Sequence, residues 1–572
     1  MARGGYSGKS TLLGGSQRGR GGAARRWLRR VGFFVLFLVV GLPIAYAIFV
    51  RVTAINPPRV PESVRAEAQA KALEVRGPRT FLGTSWISRE RGVWEEHLEG
   101  DPYTLGFAQA RLGARVLREQ EDFMFSEMNK YVPSKIARFL IRAGVRLQYR
   151  RIPDHLPMDR QLEIAGLADG SIDRHADFLP TYHRLVFYHA LHDITQGLEK
   201  SPLLGCSAFA AAGPATVGGR LIIGRNFDFE GPEIFDREKA VIFVKPKDRI
   251  PFASVAWIGM SGVVTGINAE RIYVSINAAR TTDKGKDGMP VEILVREILE
   301  QARSIDDAVA MIKKTPVMVP DFYLIADGKS GESAVVERSP TRTEVRRSKD
   351  VTLLTNHALS PAFAGDAEND RLKRYMTSGA RFRRLEELVR QGRGQIDARR
   401  ALEILRDKKG AGGEPLGLGN RNALDAIIAT HGVVVDATQM ILYVGEGPHL
   451  LGRFRAFDLR KELLGEERPA PADLPEDALV GSDDLRAFRD AMASLKAAGQ
   501  LLAEKDLEHA IEELRRAEAL VERMPEPHRL LGDALRTRGD RDGARREYQR
   551  FLELSPPYLH DVEDVKSILA TL

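Results

Sequence analysis

Leu204-Gly205-Cys206-Ser207-Ala208-Phe209, followed by Gly218-Gly219-Arg220-Leu221-Ile222-Ile223-Gly224-Arg225-Asn226-Phe227-Asp228-Phe229, is the passage on which the reading of this chain turns. It reads as a strand beginning at the cysteine, a tight glycine turn and a returning strand. Such a hairpin brings Arg225 and Asp228 back beside Cys206. A cation near a thiol favours thiolate and lowers its reference pKa of ~8.5. A carboxylate close by holds an α-amino group through charge-assisted hydrogen bonds. Two plainer readings stay open: Cys206 as a small buried apolar residue, and Arg225 with Asp228 as a structural ion pair at a strand end.

Cys206 is the single cysteine among 572 residues, which excludes an internal disulfide framework and a cysteine-rich zinc site. A lone cysteine is either buried and inert or kept for its reactivity. Hydrophobic residues make up 43% and charged residues 28%, an ordinary globular balance with ample material for a core. Length alone suggests roughly two to four domains. The net charge of +7 owes much to Arg3, Lys9, Arg18, Arg20, Arg25, Arg26, Arg29 and Arg30, in a stretch without an acid, so no nucleic-acid partner is expected.

That basic tail, residues 1–30, is rich in Gly, Ser and Arg and is expected to be disordered and cytoplasmic. Its Gly8-Lys9-Ser10 resembles a phosphate-binding loop, but Arg3 stands where the motif requires glycine, and no strand precedes it. Val31 to Val50 is uncharged and, at ~1.5 Å per residue, long enough to cross a ~30 Å hydrocarbon layer. A single-pass anchor over 31–50 is expected, with the flanking arginines inside and the body outside the cytoplasm, in the periplasm if the source is bacterial. Ala45-Tyr46-Ala47 offers the rival reading of a cleaved signal peptide. Residues 51–78, with three prolines between Asn56 and Glu62, read as a stalk.

Residues 79–464 form a long mixed region. It looks helical at first, then passes at Ser207 into β-rich runs such as Leu221 to Ile223, Ala240 to Val244 and Ile272 to Ile276, with helices at Val291 to Arg303 and Arg381 to Arg390 and later strands at Gly432 to Val435 and Met440 to Val444. This is the pattern of a layered α+β domain. The proline-rich stretch 465–484 reads as a linker. Residues 485–572 are nearly all helical, with Ala510, Leu514 and Ala517 recurring after thirty-four residues as Ala544, Tyr548 and Phe551. The region resembles tetratricopeptide repeats, a possible protein-contact module; a generic helical hairpin is the alternative.

Two further clusters have more than one reading. His183, His189, His192 and Asp193 invite a metal, but core or surface histidines fit their spacing better, so no metal or cofactor is expected. Lys135 to Arg151 interleaves apolar and basic residues, suiting either anionic lipid or packing with a solvated basic face.

The passage around Cys206 resembles the cysteine N-terminal-nucleophile (Ntn) hydrolases of the penicillin acyltransferase group, and more distantly bile-salt hydrolase, acid ceramidase and phospholipase-B-like proteins. The likeness spans about Trp86 to Asp458. It is carried also by His97-Leu98-Glu99-Gly100-Asp101-Pro102-Tyr103-Thr104-Leu105-Gly106, by Glu163-Ile164-Ala165-Gly166-Leu167-Ala168-Asp169-Gly170, by Gly266 to Arg271 with Ser275-Ile276-Asn277, by Thr355-Asn356-His357 and by Ser378-Gly379-Ala380-Arg381-Phe382. Ser207 departs from the threonine often seen after the nucleophile, though both supply a hydroxyl.

The resemblance implies a four-layer αββα sandwich, preceded by the transmembrane helix and followed by the tetratricopeptide-like helices. It implies self-cleavage between Gly205 and Cys206, after which the freed α-amine takes the thiol proton and the thiolate attacks an amide carbonyl. Asn277 and Asn356 would donate to the oxyanion, Asp228 would orient the amine, Arg225 would stabilise negative charge, and Arg381 matches a later arginine motif. From the residues alone, the asparagines also suit turn caps, Arg381 a charged helix face beside Arg383 and Arg384, and His357 a scaffold role. The expected activity is hydrolysis or acyl transfer on a small N-acyl compound. The alternatives are an inactive hydrolase domain serving as a membrane-anchored scaffold and a lipid-directed amidase or phospholipase-like enzyme.

Overall fold

Cys206 lies three residues into the strand Leu204–Gly213, and the strand Gly219–Phe229 returns antiparallel beside it. Between them Gly218 and Gly219 take φ of +67° and +69°, angles that strain any residue with a Cβ. This computed structural model describes residues 20–196, 204–229, 233–285 and 287–572. Most of the expected tail, with Gly8-Lys9-Ser10, lies outside the described residues.

The strands are, in chain order, β1 (Leu73–Arg76), β2 (Arg79–Leu82), β3 (Ser85–Ser88), β4 (Trp94–Gly100), β5 (Leu204–Gly213), β6 (Gly219–Phe229), β7 (Lys239–Pro246), β8 (Phe252–Trp257) and β9 (Thr265–Asn268). They continue with β10 (Ile272–Ala278), β11 (Asp321–Asp327), β12 (Glu332–Arg338), β13 (Thr343–Ser348), β14 (Val351–Leu354), β15 (Ala429–Asp436), β16 (Ile441–Gly445) and β17 (Phe454–Asp458). One sheet runs β1-β2-β3-β4-β7-β8-β9-β10-β11-β12-β13 and the other β14-β5-β6-β15-β16-β17. The β4–β7 pair is parallel.

The period-two alternation of β5 sends Ala208, Ala210 and Ala212 to one face and Phe209 and Ala211 to the other. On the first face, Leu221, Ile223 and Val433 of the smaller sheet share a buried cluster with Val241, Phe243, Tyr273 and Leu324 of the larger. The sheets therefore pack on each other, and each large apolar side chain removed from water contributes about 1.5–3 kcal/mol. Phe209, Ile222 and Val434, on the second face, pack on Leu385, Leu388, Leu402 and Leu405 of the helices Ser378–Gln391 and Ala398–Leu405. The helices Val291–Gln301 and Ile305–Lys314 lie against β9 to β12 of the larger sheet.

Two upstream helices, Pro102–Leu112 and Met158–Gly170, cross at reciprocal glycines. A Cβ on Gly106 would fall 1.8 Å from the Glu163 carbonyl oxygen, and one on Gly166 would fall 2.0 Å from that of Tyr103. Those two glycines are the physical content of the motifs quoted around them.

Several boundaries differ from expectation. The region read as helical from residue 79 opens with β2, β3 and β4; Glu95, Glu96 and Glu99 interrupt the apolar alternation by which β4 would be read. The stretch read as a stalk holds the helix Glu62–Ala70 and β1, which pairs with β2. Residues 466–482 form no helix or strand, yet Asp473 is held by Arg91 at 2.9 Å and Arg455 at 2.8 Å. Beyond them come five helices, Asp483–Ala503, Leu507–Leu520, Pro525–Arg538, Arg541–Glu553 and Leu559–Leu569. Leu485, Phe488 and Met524 bury themselves with Ile427 and Leu451, so these helices dock on the β-rich part.

Asn56–Leu140 and Arg151–Leu572 form one unit; the described residues up to Ile55 form another with Ile141–Arg150. In the latter, the helix Arg25–Val52 is long and apolar enough to cross a membrane. Arg146 donates to Thr53 Oγ1 at 3.0 Å and to the Val50 carbonyl at 3.1 Å. The basic helix forms over Lys135–Gln148, and its apolar residues Ile136, Leu140 and Ile141 are exposed.

Candidate active site

Across the β5–β6 ladder, Cys206 faces Phe227, Gly205 faces Asp228 and Ala208 faces Arg225. Residues directly opposite share a face. Cys206, Arg225 and Phe227 therefore look into the space between the sheets, while Asp228 and Ser207 look the other way. The hairpin thus sets Arg225 on the face of the thiol and Asp228 across the ladder from Gly205, on the opposite face.

Arg225 is fully buried, donating from Nη1 to Thr265 Oγ1 and from Nη2 to the Ile276 carbonyl. Its guanidinium carbon stands 4.8 Å from the Phe227 ring centroid. His431 stacks on the same ring, with centroids 4.9 Å apart and planes 1° apart, and its Nε2 lies 3.3 Å from Arg225 Nη1. Because arginine only donates, this Nε2 accepts and the ring proton sits on Nδ1. Burial, then Arg225, holds His431 well below the usual histidine range, so it is neutral.

Arg381 is the second buried guanidinium. It donates from Nη1 to the Cys206 carbonyl at 2.6 Å and to Ser207 Oγ at 2.9 Å, and from Nη2 to Asn356 Oδ1 at 2.7 Å. Asn356 Oδ1 also accepts the Cys206 backbone N–H at 3.0 Å. The amide group of Asn356 donates through Nδ2 to the Ala278 carbonyl at 2.8 Å, and its backbone N–H donates to Ser378 Oγ at 2.9 Å. Asn277 Nδ2 donates to the Thr355 carbonyl at 2.9 Å. Each asparagine NH₂ carries two hydrogens, so one donor on each goes beyond these bonds.

Burial pushes the Cys206 thiol up; Arg225 pulls it down, Asp228 pushes it up and Arg381 pulls it down. Asp228 is pushed up to about 7, first by burial, and its Oδ1 has no hydrogen-bond partner. A carboxyl poised there accepts or gives a proton near neutral pH.

Cys206, Asn356 and Arg381 are thus directly bonded to one another, Arg225 shares the thiol's face, Asp228 sits across from Gly205, and Asn277 joins through Thr355. Arg381 is a buried anchor rather than a residue of a solvated face. Sequence reasoning quotes Ser378 only as the first residue of the Arg381 motif and passes over Thr265 and His431, neither of which carries a local signal; the β6–β15 bulge between Ala429 and His431 brings that ring onto Phe227. His357 Nδ1 lies 2.8 Å from Ser378 Oγ and so buttresses the hydroxyl that holds Asn356. Of the upstream histidines, His189 is spent on the core, with Nδ1 on the Leu185 carbonyl at 2.7 Å and Nε2 accepting the Ser261 N–H at 2.9 Å.

Phe227 also lines a cavity of about 370 Å³, walled by Leu117, Met124, Leu185, Phe235 and Trp257. Phe227 stands opposite Cys206 in the ladder, so it links this largely apolar space to the strand pair that carries the cysteine.

Residues 215–413 match the family described as acyl-coenzyme A:6-aminopenicillanic acid acyl-transferase. An uncharacterized protein of Archaeoglobus fulgidus is 26% identical over 354 residues, covering 55% of this chain and 58% of its own length. The N-acylethanolamine-hydrolyzing acid amidase of Caenorhabditis elegans is 23% identical over 290 residues, covering 49% of this chain and 75% of that one. A solved structure of the Caenorhabditis elegans N-acylethanolamine-hydrolyzing acid amidase ortholog covers 41% of this chain and 93% of its own, at 19% identity and a TM-score of 0.31. The chain therefore spans little more than half the length of its archaeal relative, 58%. Arg225, Asp228, Asn277, Asn356 and Arg381 all lie within residues 215–413, the part of the chain that matches the acyl-coenzyme A:6-aminopenicillanic acid acyl-transferase family.

Proposed function

We propose that the chain is a self-processing amide hydrolase or acyltransferase of four-layer αββα type, which cuts itself between Gly205 and Cys206 and then acts on N-acyl compounds with an apolar acyl group. The observation that carries this reading is the hydrogen bond from the Cys206 nitrogen to Asn356 Oδ1, because that nitrogen becomes the α-amine once the bond before it is cut.

In the cleavage, the Cys206 thiol gives up its proton as the sulfur adds to the Gly205 carbonyl carbon, the C–N bond breaks, and the departing nitrogen takes up that proton, with Asp228 across the ladder as the relay. Water then hydrolyses the thioester, leaving a carboxylate on Gly205 and a free thiol. In turnover the α-amine, oriented by Asn356, removes the thiol proton, and Arg225 favours the thiolate. The thiolate attacks the substrate carbonyl, the remaining amide hydrogens of Asn277 and Asn356 meet the oxyanion, and water or an amine resolves the acyl-enzyme.

The lipid-directed form of this reading is favoured by the apolar cavity that Phe227, the ladder partner of Cys206, helps to line. It accords with the helix Arg25–Val52, which we take as an anchor with the arginines inside and the catalytic part outside the cytoplasm. The tetratricopeptide-like helices are proposed to add protein contact. The test is release of free fatty acid from N-acyl amides of increasing chain length, run beside phospholipids. Turnover rising with acyl length and absent in Cys206→Ala supports the proposal; ester cleavage alone, or turnover indifferent to the acyl group, contradicts it.

A further inference from the structure

Buried carboxylates are costly unless something compensates them, and one cluster apart from the Cys206 hydrogen-bond network is under-satisfied. His192, Asp193 and Asp321 are all buried and offer ligand atoms lying within 4.8 Å of one another. His192 Nε2 stands 3.9 Å from Asp321 Oδ1. Neither ring nitrogen of His192 has a hydrogen-bond partner, and neither does Asp193 Oδ1 or Asp321 Oδ1. The second Asp193 oxygen accepts the Val291 N–H at 3.0 Å, which fixes the carboxylate and leaves Oδ1 without a hydrogen bond. Glu292, next along that helix, is buried with Oε2 unpartnered.

A proton shared between the two aspartates would satisfy one oxygen pair and leave both imidazole nitrogens without a partner. A cation takes one ligand atom from each of the three residues and leaves a single imidazole nitrogen without a partner. We propose that His192, Asp193 and Asp321 bind a divalent transition cation, zinc foremost, with Glu292 as the neighbouring carboxylate that completes the set. One imidazole with two or three carboxylates is a donor set zinc accepts, at bond lengths of about 2.0–2.2 Å, so atoms already within 4.8 Å need only a small contraction. His192 and Asp193 precede Cys206 in the chain, and Glu292 and Asp321 follow it. The ion therefore ties together the segments on either side of the nucleophile, and its binding is independent of whether the peptide between them is cut.

The experiment uses the full chain as Cys206→Ala, which removes the single thiol that would compete for metal. The protein is stripped with a chelator and titrated with zinc chloride alone, by calorimetry and thermal melting. The expected result is one tight site per chain and a melting temperature that rises with zinc, with affinity falling about tenfold or more in Asp321→Asn and in His192→Gln. Absence of a stoichiometric site in the folded Cys206→Ala chain overturns the proposal, and so does unchanged affinity when Asp321→Asn is added to it and the protein folds. If a variant does not fold, the titration of the parent chain still decides.

Discussion

The side-chain oxygen of Asn356 accepts the backbone N–H of Cys206 at 3.0 Å, across 150 residues of sequence. This adds a role for Asn356 to the one its motif implies. Beside an Nδ2 hydrogen for an oxyanion, its oxygen is the partner of the nitrogen on which a self-activating cysteine depends.

Asn356→Ala is expected to lower both self-cleavage and turnover by about 10²–10³-fold, the range for losing one positioned catalytic hydrogen bond. A time course of chain cleavage, with steady-state rates on the processed fraction, measures both. If Asn356 serves only the fold, both rates persist in the soluble variant.

A pH prediction rests on Glu96 in β4, far in sequence from the nucleophile. Burial pushes its carboxyl from 4.5 up to about 8, opposed by the Gln109 amide, which donates to it at 3.0 Å. The folded chain thus holds a proton that the unfolded chain has lost between those values, so its stability falls as pH rises from 4.5 to 8. Glu96→Gln keeps the acceptor for Gln109 and removes the titration. The variant is expected to be more stable than wild type at pH 8, on the order of 3 kcal/mol, and close to it at pH 4. Denaturant titrations at the two pH values check this; equal effects at both would refute it.

The reciprocal glycines give a packing test. Gly166→Ala puts a methyl 2.0 Å from the Tyr103 carbonyl oxygen, which must move the helix, at a cost of roughly 3 kcal/mol or more. Gly499 sits in a helix with nothing within 4 Å of its Cβ position, so Gly499→Ala should be stabilising by up to about 1 kcal/mol. Thermal melts of the two variants should move in opposite directions.

How much of this could be read from residues alone depended on how local the signal was. The β5–β6 hairpin was readable because its glycines and its apolar runs lie within one window, and β7, β10, β15 and β16 were readable as short β-branched runs. The strand β4 was not, since its three glutamates break the alternation and one of them, Glu96, is buried against Gln109. The parity that separates Arg225 from Asp228 follows from register, which composition does not reveal. His431 and Thr265 lie 166 residues apart; the pairing of β15 with β6 brings the first to Arg225, and the packing of the two sheets brings the second.

The central claim is that the Cys206 nitrogen is released as a free amine. Intact-mass measurement of the purified full-length chain, beside Cys206→Ala, tests it most directly. The account predicts two polypeptides from the parent, the downstream one beginning at Cys206, and one uncut chain from the variant. A catalytically active parent whose Gly205–Cys206 bond is intact would contradict it.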